Sequence, residues 1–347
     1  MSEHHVPGVS LATIRGGELV SADAYGRVDA RGSAPVTSQT LFRVASVSKQ
    51  VTALGVLRLV TEGRLDLDKD VNSYLVRWRL PGTGQSPVTA RHLLANVAGL
   101  ATEPDHAAYG HDEPLPTALE ALAGRHPART PQVRPKCPPG QLFEKNKNNY
   151  LVLDLLMTDI TGRAFPQLMK ELVFEPLGMV NSSFDPLCPA TASQPVARGH
   201  DAFGIPVAGL GPAHPAIAAG GLWSTAEDIA KAQLEIRRAY LGQSALITQS
   251  LAEQMLTPTP GTLYGLSTVV DHSQADLDFG SVGEFTGYFA VAMCRIRSGD
   301  GFVLLTNADG GREIARIMAD PAGDSGEFGR LAEARRIATA TDAGREP

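Results

Sequence analysis

The most informative part of the sequence is the segment Phe42-Arg43-Val44-Ala45-Ser46-Val47-Ser48-Lys49-Gln50-Val51-Thr52-Ala53. It predicts an extended approach, then Ser46, then a helix that runs to about Glu62 and is stopped by Gly63. Lys49 follows Ser46 by three residues, so both side chains face the same side of the helix. A neutral lysine there can take the hydroxyl proton, and the positive end of the helix stabilises the alkoxide. The pattern predicts a nucleophilic serine with a lysine base.

The helix after Ser46 is apolar on most sides, which predicts a central, buried element. Its apolar positions include Val51, Leu54, Val56, Leu57, Leu59 and Val60. A lysine buried in such a helix is easier to hold uncharged. The alternative is that Ser46 caps an ordinary surface helix and Lys49 is a solvated charge, since four-residue motifs often match by chance.

The composition is that of a globular protein with a full core. The chain has 347 residues, 43% of them hydrophobic and 20% charged, and a net charge of −6. It contains no basic run, so we expect no nucleic-acid partner. Three cysteines without metal-ligand spacing indicate reduced thiols, and we expect neither a metal nor a cofactor.

The N-terminal segment lacks the basic and apolar regions of a signal peptide. No apolar run approaches the length of a membrane span, so we expect no membrane partner. Together with the reduced cysteines, these features predict a cytoplasmic location.

Strand and helix signals indicate an α/β fold of the α+β type. Two strand patterns, 6–14 and 18–25, flank a Gly-Gly turn and predict an N-terminal hairpin. Three more strands are predicted after residue 263, at 264–270, 289–296 and 302–306. Helices are predicted between these groups at 89–96, 117–123 and 149–161 and from Ser224, which with Glu227 forms a capping-box pattern. One sheet built from both ends of the chain is the expected result.

Several segments resemble the serine β-lactamase and penicillin-binding-protein superfamily, in its class C β-lactamase and esterase branch. Besides the nucleophile segment, they are Val6-Pro7-Gly8-Val9-Ser10, Arg91-His92-Leu93-Leu94, Phe174-Glu175-Pro176-Leu177-Gly178-Met179 and Gly220-Gly221-Leu222-Trp223-Ser224-Thr225. The resemblance implies an antiparallel sheet flanked by helices, with an inserted helical region and the site in the cleft between them. It assigns residues 1–75 and 216–319 to the sheet domain and 76–215 to the insert. The polar residues 320–347 are expected to form a loose tail.

The second motif of this superfamily, Tyr-x-Asn, is altered here. Lys145 stands at the tyrosine position and Lys147 at the asparagine position, while Tyr150 falls in the following helix as a packed aromatic. One hypothesis is that Lys145 transfers protons and Lys147 holds a substrate anion. Three ammonium groups, counting Lys49, would disfavour one another's charge and so favour a neutral base. The alternative is that Lys145 and Lys147 point into solvent, as most loop lysines do.

The third motif, Lys-Thr-Gly or His-x-Gly in relatives, is altered as well. Ser281 replaces the basic residue and Gly283 keeps the glycine, so both are expected to line the substrate site. Without the basic residue, β-lactams and peptidoglycan carboxylates lose an anchor. The backbone N–H of Glu284 can still pair with that of Ser46 as an oxyanion hole, since this role depends on geometry rather than on a side chain.

These features predict an acyl-enzyme reaction on a small-molecule ester or amide. Ser46 attacks the carbonyl, Lys49 removes its proton and the two N–H groups hold the oxyanion. Water as acceptor makes the protein an esterase or amidase, and an amine or alcohol makes it an acyltransferase. The altered motifs and the absence of an export signal turn the expectation toward a cytosolic metabolite, away from wall synthesis and β-lactam resistance. A non-catalytic homologue that only binds a ligand stays open.

Overall fold

A computed structural model describes residues 1–82, 86–102, 108–110, 112–186, 188, 194–272 and 276–319. The predicted tail at 320–347 lies outside these residues. The resemblance led us to expect an antiparallel sheet with flanking helices, and this fold class is confirmed.

Within the described residues, the main sheet has six antiparallel strands in the order β2-β1-β8-β7-β6-β5. The strands are β1 (Gly8–Arg15), β2 (Glu18–Gly26), β5 (Val269–Asp271), β6 (Asp278–Phe285), β7 (Tyr288–Arg295) and β8 (Gly301–Thr306), and the short strands β3 (Phe42–Arg43) and β4 (Trp223–Ser224) pair separately. Val9 of β1 pairs with Thr306 of β8, so both ends of the chain build the sheet, as predicted.

The strand predicted at 264–270 is wrong for most of its length. Only Val269 and Val270 belong to β5, while Gly265 donates a backbone hydrogen bond to Thr268 (2.8 Å) and closes a turn. Ser267 in this turn has a φ of 61°, which a strand does not accommodate. The alternation of apolar residues also did not reveal β6, whose existence followed only from the family resemblance.

Helices occupy the chain between the two groups of strands. They are α1 (Val47–Thr61), α2 (Ala90–Leu94), α3 (Ala118–Ala123), α4 (Lys147–Thr161), α5 (Phe165–Met169), α6 (Glu175–Leu177), α7 (Ile217–Gly220), α8 (Ala226–Tyr240), α9 (Gln249–Met255) and α10 (Gly311–Ala319). Short helical turns of other types cover Ser2–His4, Val71–Ser73 and Lys170–Phe174. Helices α2 to α6 lie in the predicted insert, and the bounds of that insert stay a prediction.

Two helix starts differ from their predictions because other residues cap them. Thr225 rather than Ser224 caps α8, since its side chain accepts a hydrogen bond from the N–H of Asp228. Helix α4 starts two residues before the predicted position because Asn146 caps it, accepting from the N–H of Asn148.

Helix α1 is the centre of the core. Every residue from Val47 to Leu57 is buried, which agrees with its apolar pattern. It packs against α4 and α7 on the helical side and against β6 and β7 of the sheet. The nucleophile segment therefore starts a helix that both layers hold in place.

The buried carboxyl of Asp154 on α4 makes stability depend on pH. Burial raises its pKa from the ordinary 3.8 to about 7. Between these values the unfolded chain has released the proton and the folded chain has kept it. The protonated Asp154 therefore makes its full contribution to the free energy of unfolding below about pH 4, and this contribution is lost as the pH rises through about 7.

We expect Asp154→Asn, which cannot ionise, to be more stable than the parent protein at about pH 8, by up to about 4 kcal/mol. Near pH 4 the two proteins should have similar free energies of unfolding, which urea titrations at both pH values would measure. Glu253→Gln, at an exposed position on α9, is the matched control. An equal effect of Asp154→Asn at both pH values would contradict the prediction.

Candidate active site

Ser46 and Lys49 form the centre of the candidate site. Lys49 Nζ lies 2.8 Å from Ser46 Oγ, and the lysine is only 8% exposed. Ser46 occupies the N-cap position of α1, yet its side chain makes no capping hydrogen bond. The pair therefore has the geometry of a hydroxyl next to its base, not of a helix cap beside a solvated lysine.

Neighbouring backbone groups hold the nucleophile segment in a strained conformation. Ala45, directly before Ser46, has a φ of 48°, a left-handed conformation that is uncommon for a residue with a side chain. Val44 donates its N–H to the carbonyl of Leu222 (3.1 Å). Leu222 in turn donates its own N–H to Ser48 Oγ (3.1 Å), so Ser48 holds the segment in place. Because strain of this kind persists only where the surroundings enforce it, these contacts fix the direction of Ser46.

Strand β6 lies directly against the nucleophile segment at Gly283. A Cβ atom added to this glycine would lie 2.2 Å from the carbonyl oxygen of Val44 and 2.9 Å from the N atom of Ser46. Such distances leave no room for a side chain, so the glycine permits the close approach of the two backbones. Strand β5 pairs with β6 only from Asp278 to Gly280, which leaves the edge beside Ser46 unoccupied by β5.

The hydrogen-bond alternation of the sheet directs the N–H of Glu284 away from β7. Arg295 donates to the carbonyl of Asp300 (2.8 Å), so odd-numbered residues of β7 bond to β8 and even-numbered residues bond to β6. Phe289 therefore directs its backbone hydrogen bonds to β8, and the residue opposite Phe289 on β6 is Glu284. The N–H of Glu284 therefore points away from β7, and Glu284 lines one cavity together with Ser46, so this N–H is a candidate second donor for an oxyanion hole.

Ser281 lies against the nucleophile rather than deep in a separate substrate pocket. Its Oγ is 3.4 Å from the backbone carbonyl of Ser46, and the residue is 7% exposed. It lines a small cavity together with Ser46, Lys49 and Lys145. A serine here supports the backbone of the nucleophile and brings no positive charge to the cavity.

Lys145 reaches the same small cavity, whose wall is completed by Tyr264. Its Nζ lies 5.8 Å from the centre of the Tyr264 ring, within range of a cation–π contact. The sequence gives no sign that Tyr264 lines this cavity, because the residues around it alternate like a strand. Tyr150 is fully buried, as predicted for a packed aromatic, and its hydroxyl lies 2.6 Å from Ser267 Oγ.

Lys147 lines a second, larger cavity that also contains Ser46 and Lys49. It is the exposed first residue of α4. A further cation on this cavity, Arg43, was missed by sequence reasoning because an arginine next to a motif carries no distinguishing pattern. Both loop lysines therefore reach the cleft, through different cavities.

The different positions of the two lysines predict different kinetic effects. Lys145→Ala should lower kcat, by about tenfold to a hundredfold, because a group beside Ser46 and Lys49 assists proton transfer. Lys147→Ala should mainly raise KM, because the exposed Lys147 lines the larger cavity, where its charge can hold a substrate anion. Steady-state kinetics would separate these effects, with the surface variant Lys170→Ala as control. Unchanged turnover in both variants would exclude the relocated-base hypothesis.

Other kinds of site find little support in the described part of the chain. Among its residues, no group of three or more His, Cys, Asp or Glu side chains is placed to hold a metal ion. The three cysteines Cys137, Cys188 and Cys294 form no disulfide with one another. No described helix is both long and apolar enough to cross a bilayer.

The fold and the site define a protein with a Ser-x-x-Lys motif at the start of a buried helix that packs against an antiparallel sheet. The family model described as "Beta-lactamase" matches residues 1–324. The chain belongs to the β-lactamase family, a family of serine hydrolases.

Individual relatives agree with this assignment. Protein flp of Staphylococcus aureus (strain N315) is 26% identical over 187 residues, which are 53% of this chain and 36% of flp. Esterase EstB of Burkholderia gladioli is 39% identical over 102 residues, 29% of this chain and 26% of EstB. The chain therefore matches only about a third of the length of these curated relatives or less. The octameric penicillin-binding protein homologue from Pyrococcus abyssi has a TM-score of 0.74 and 26% identity, over 89% of this chain and 71% of that one.

Proposed function

We propose that this protein is a serine esterase or amidase that forms an acyl-enzyme on Ser46. The observation that carries the proposal is the 2.8 Å distance between Lys49 Nζ and Ser46 Oγ, with the lysine buried and the serine half-buried. As the Oγ–carbonyl bond forms, the hydroxyl proton passes to Lys49. Negative charge then develops on the carbonyl oxygen, where the N–H groups of Ser46 and Glu284 stabilise it.

The second half of the reaction follows from the same groups. Lys49 returns its proton to the leaving alcohol or amine as the scissile bond breaks, which leaves an acyl ester on Ser46. Water then attacks this ester and gives a proton to Lys49. As the bond from the acyl carbon to Ser46 Oγ breaks, Lys49 returns that proton to Oγ and the acid is released. The small cavity around Lys145 and Tyr264 is beside this proton path, which supports a role for Lys145 in it.

The acceptor of the acyl group defines the main alternative. An amine or alcohol in place of water makes the protein an acyltransferase, and the same first step serves both reactions. The second alternative is a binding protein that retains the cleft without turnover. The strained Ala45 and the burial of Lys49 beside Ser46 favour a reactive site over a binding cleft, because each has a cost in free energy that binding does not require. The proposed substrate is a small molecule; the cytoplasmic location expected from the sequence stays a prediction.

Labelling with a fluorophosphonate tests the proposal. Mass spectrometry of the labelled protein should find one adduct, on the peptide that contains Ser46, and Ser46→Ala should carry none. Product analysis with simple 4-nitrophenyl esters, with and without an added amine, then separates hydrolysis from transfer. If the folded protein neither takes the label nor hydrolyses any ester, the proposal is wrong and the alternative of a binding protein is favoured.

A further inference from the structure

We infer that Arg43 forms an anion subsite, and that the preferred substrates carry a carboxylate on their acyl group. The inference rests on the proposed function, because it names the class of substrate for the same nucleophile. Arg43 precedes Ser46 by three residues and lines the larger cavity together with it.

The guanidinium of Arg43 is buried without a carboxylate partner in the described part of the chain. The residue is 5% exposed. Nη1 donates to the carbonyl oxygen of Pro212 (2.5 Å), and Nε is a buried donor with no hydrogen-bond partner. Burial lowers the pKa of Arg43, yet an arginine keeps its charge in proteins. A buried charge without a partner is unfavourable, so a ligand anion that neutralised it would gain binding energy.

Two aromatic rings hold the guanidinium in a fixed plane. Its Cζ lies 4.2 Å from the ring centre of Phe285 and 5.3 Å from that of Trp223. These rings supply cation–π stabilisation but no hydrogen-bond acceptor. The edge formed by Nε and Nη2 has no acceptor among the described residues. Nε is closed to solvent whereas Nη2 is not among the closed-off atoms, so a carboxylate in the cavity would bond to the guanidinium through Nη2.

The surroundings of Arg43 favour an anion. Lys147 and Lys49 line the same cavity, and its one carboxylate among the described lining residues, Glu284, is paired with Arg312. The remaining wall is mostly small and apolar: Ala213, Ala216, Ile217, Ala219, Gly220 and Gly221. A compact acyl chain that ends in a carboxylate fits these walls, with its scissile carbonyl at Ser46.

The position of this subsite differs from the one that Ser281 has lost. Ser281 lines the small cavity near Lys145, whereas Arg43 lines the larger cavity near Phe285, at the C-terminal end of β6. The small cavity keeps the cations Lys49 and Lys145, and Arg43 adds a further cation at the larger cavity, which Ser281 does not line. A substrate carboxylate is accordingly expected on a different part of the molecule from the one that the basic third motif holds.

The test compares matched pairs of 4-nitrophenyl esters. Mono-4-nitrophenyl fumarate and adipate carry the carboxylate, and their methyl esters are the neutral partners. The trans geometry of fumarate prevents the carboxylate from attacking its own ester. For the parent protein, kcat/KM should be about tenfold to a hundredfold higher for the anionic member of at least one pair. Equal or lower values for both anionic esters would overturn the inference.

Variants then assign the preference to a residue. Arg43→Met should abolish the preference for anionic esters, and Arg43→Lys should retain part of it. Arg316 is an exposed cation on α10, so Arg316→Met should leave the preference unchanged. If Arg43→Met lowers kcat/KM equally for the anionic and the neutral ester of a pair, Arg43 only positions the backbone and the inference is wrong. If Lys147→Met removes the preference and Arg43→Met keeps it, the anion site lies elsewhere and the inference is wrong.

Two further measurements keep the result decisive. If Arg43→Met does not fold, inhibition by free adipate still tests the role of Arg43. Adipate should inhibit the parent protein competitively, and it should inhibit Arg43→Lys at least tenfold more weakly. Equal inhibition of the two proteins would count against Arg43. Labelling of Ser46 by the fluorophosphonate without any preference for anionic esters would leave the proposed function intact and refute only this inference.

Discussion

Replacing Lys49 with methionine should lower kcat/KM for ester hydrolysis by about a thousandfold or more. The reason is that the 2.8 Å contact to Ser46 Oγ is the proton path of the proposed reaction, and methionine has no group that accepts a proton. Because Lys49 is buried in α1, methionine fills a similar space and the fold should be kept. The measurement is steady-state kinetics, together with a melting curve for each variant.

Lys49→Arg is the matched variant for this prediction. Arginine keeps the positive charge but is not deprotonated in proteins, so it cannot act as a base. Both variants should therefore be about equally inactive, and Ser46→Ala should set the lowest level. An Arg variant with near-parental activity would show that position 49 contributes only charge, and would refute the role of Lys49 as the base.

Replacing Gly283 with valine should have the second large effect, a loss of about a hundredfold to a thousandfold in kcat. A Cβ at this position would lie 2.2 Å from the carbonyl oxygen of Val44, so β6 and the nucleophile segment would have to separate. The N–H of Glu284 would then move away from the oxyanion, and a displacement of about 1 Å is enough to cost a hundredfold in rate.

The control for Gly283 is a glycine without close neighbours. At Gly32 an added Cβ would lie 3.7 Å from Asp29, an ordinary contact, so Gly32→Ala should behave like the parent protein. Gly283→Ala should lie between the parent and Gly283→Val in kcat. Parental kcat in a folded Gly283→Val protein would contradict the assignment of the oxyanion hole to the β6 edge.

Local signals predicted much of the fold because their physical causes are local. Helix α1 ends at Thr61, and Gly63 follows with a φ of 68°, which is the conformation that its glycine stop indicated. The N-terminal hairpin likewise followed from two glycines between two strand patterns. The strand predicted around Tyr264 is wrong because the residues there alternate like a strand, while Ser267 takes a left-handed conformation that alternation does not reveal.

The centre of the candidate site was readable from the sequence, whereas its walls were not. Ser46 and Lys49 are three residues apart, so helix geometry alone brings them together. Arg43 and Phe285, in contrast, are distant in sequence and meet only because β6 packs beside the nucleophile segment. No periodicity encodes such a meeting, and the anion subsite could be inferred only from the folded structure.

The pairing of the two chain ends has a consequence for synthesis on the ribosome. The contact between Ser281 and Ser46 spans 235 residues of chain, and β1 pairs with β8, near the end of the described residues. A nascent chain that has completed α1 still lacks β6, whose Glu284 supplies the second N–H of the proposed oxyanion hole. Ser46 is therefore made long before the strand that it needs in the proposed reaction, which can begin only once nearly the whole described chain has been translated.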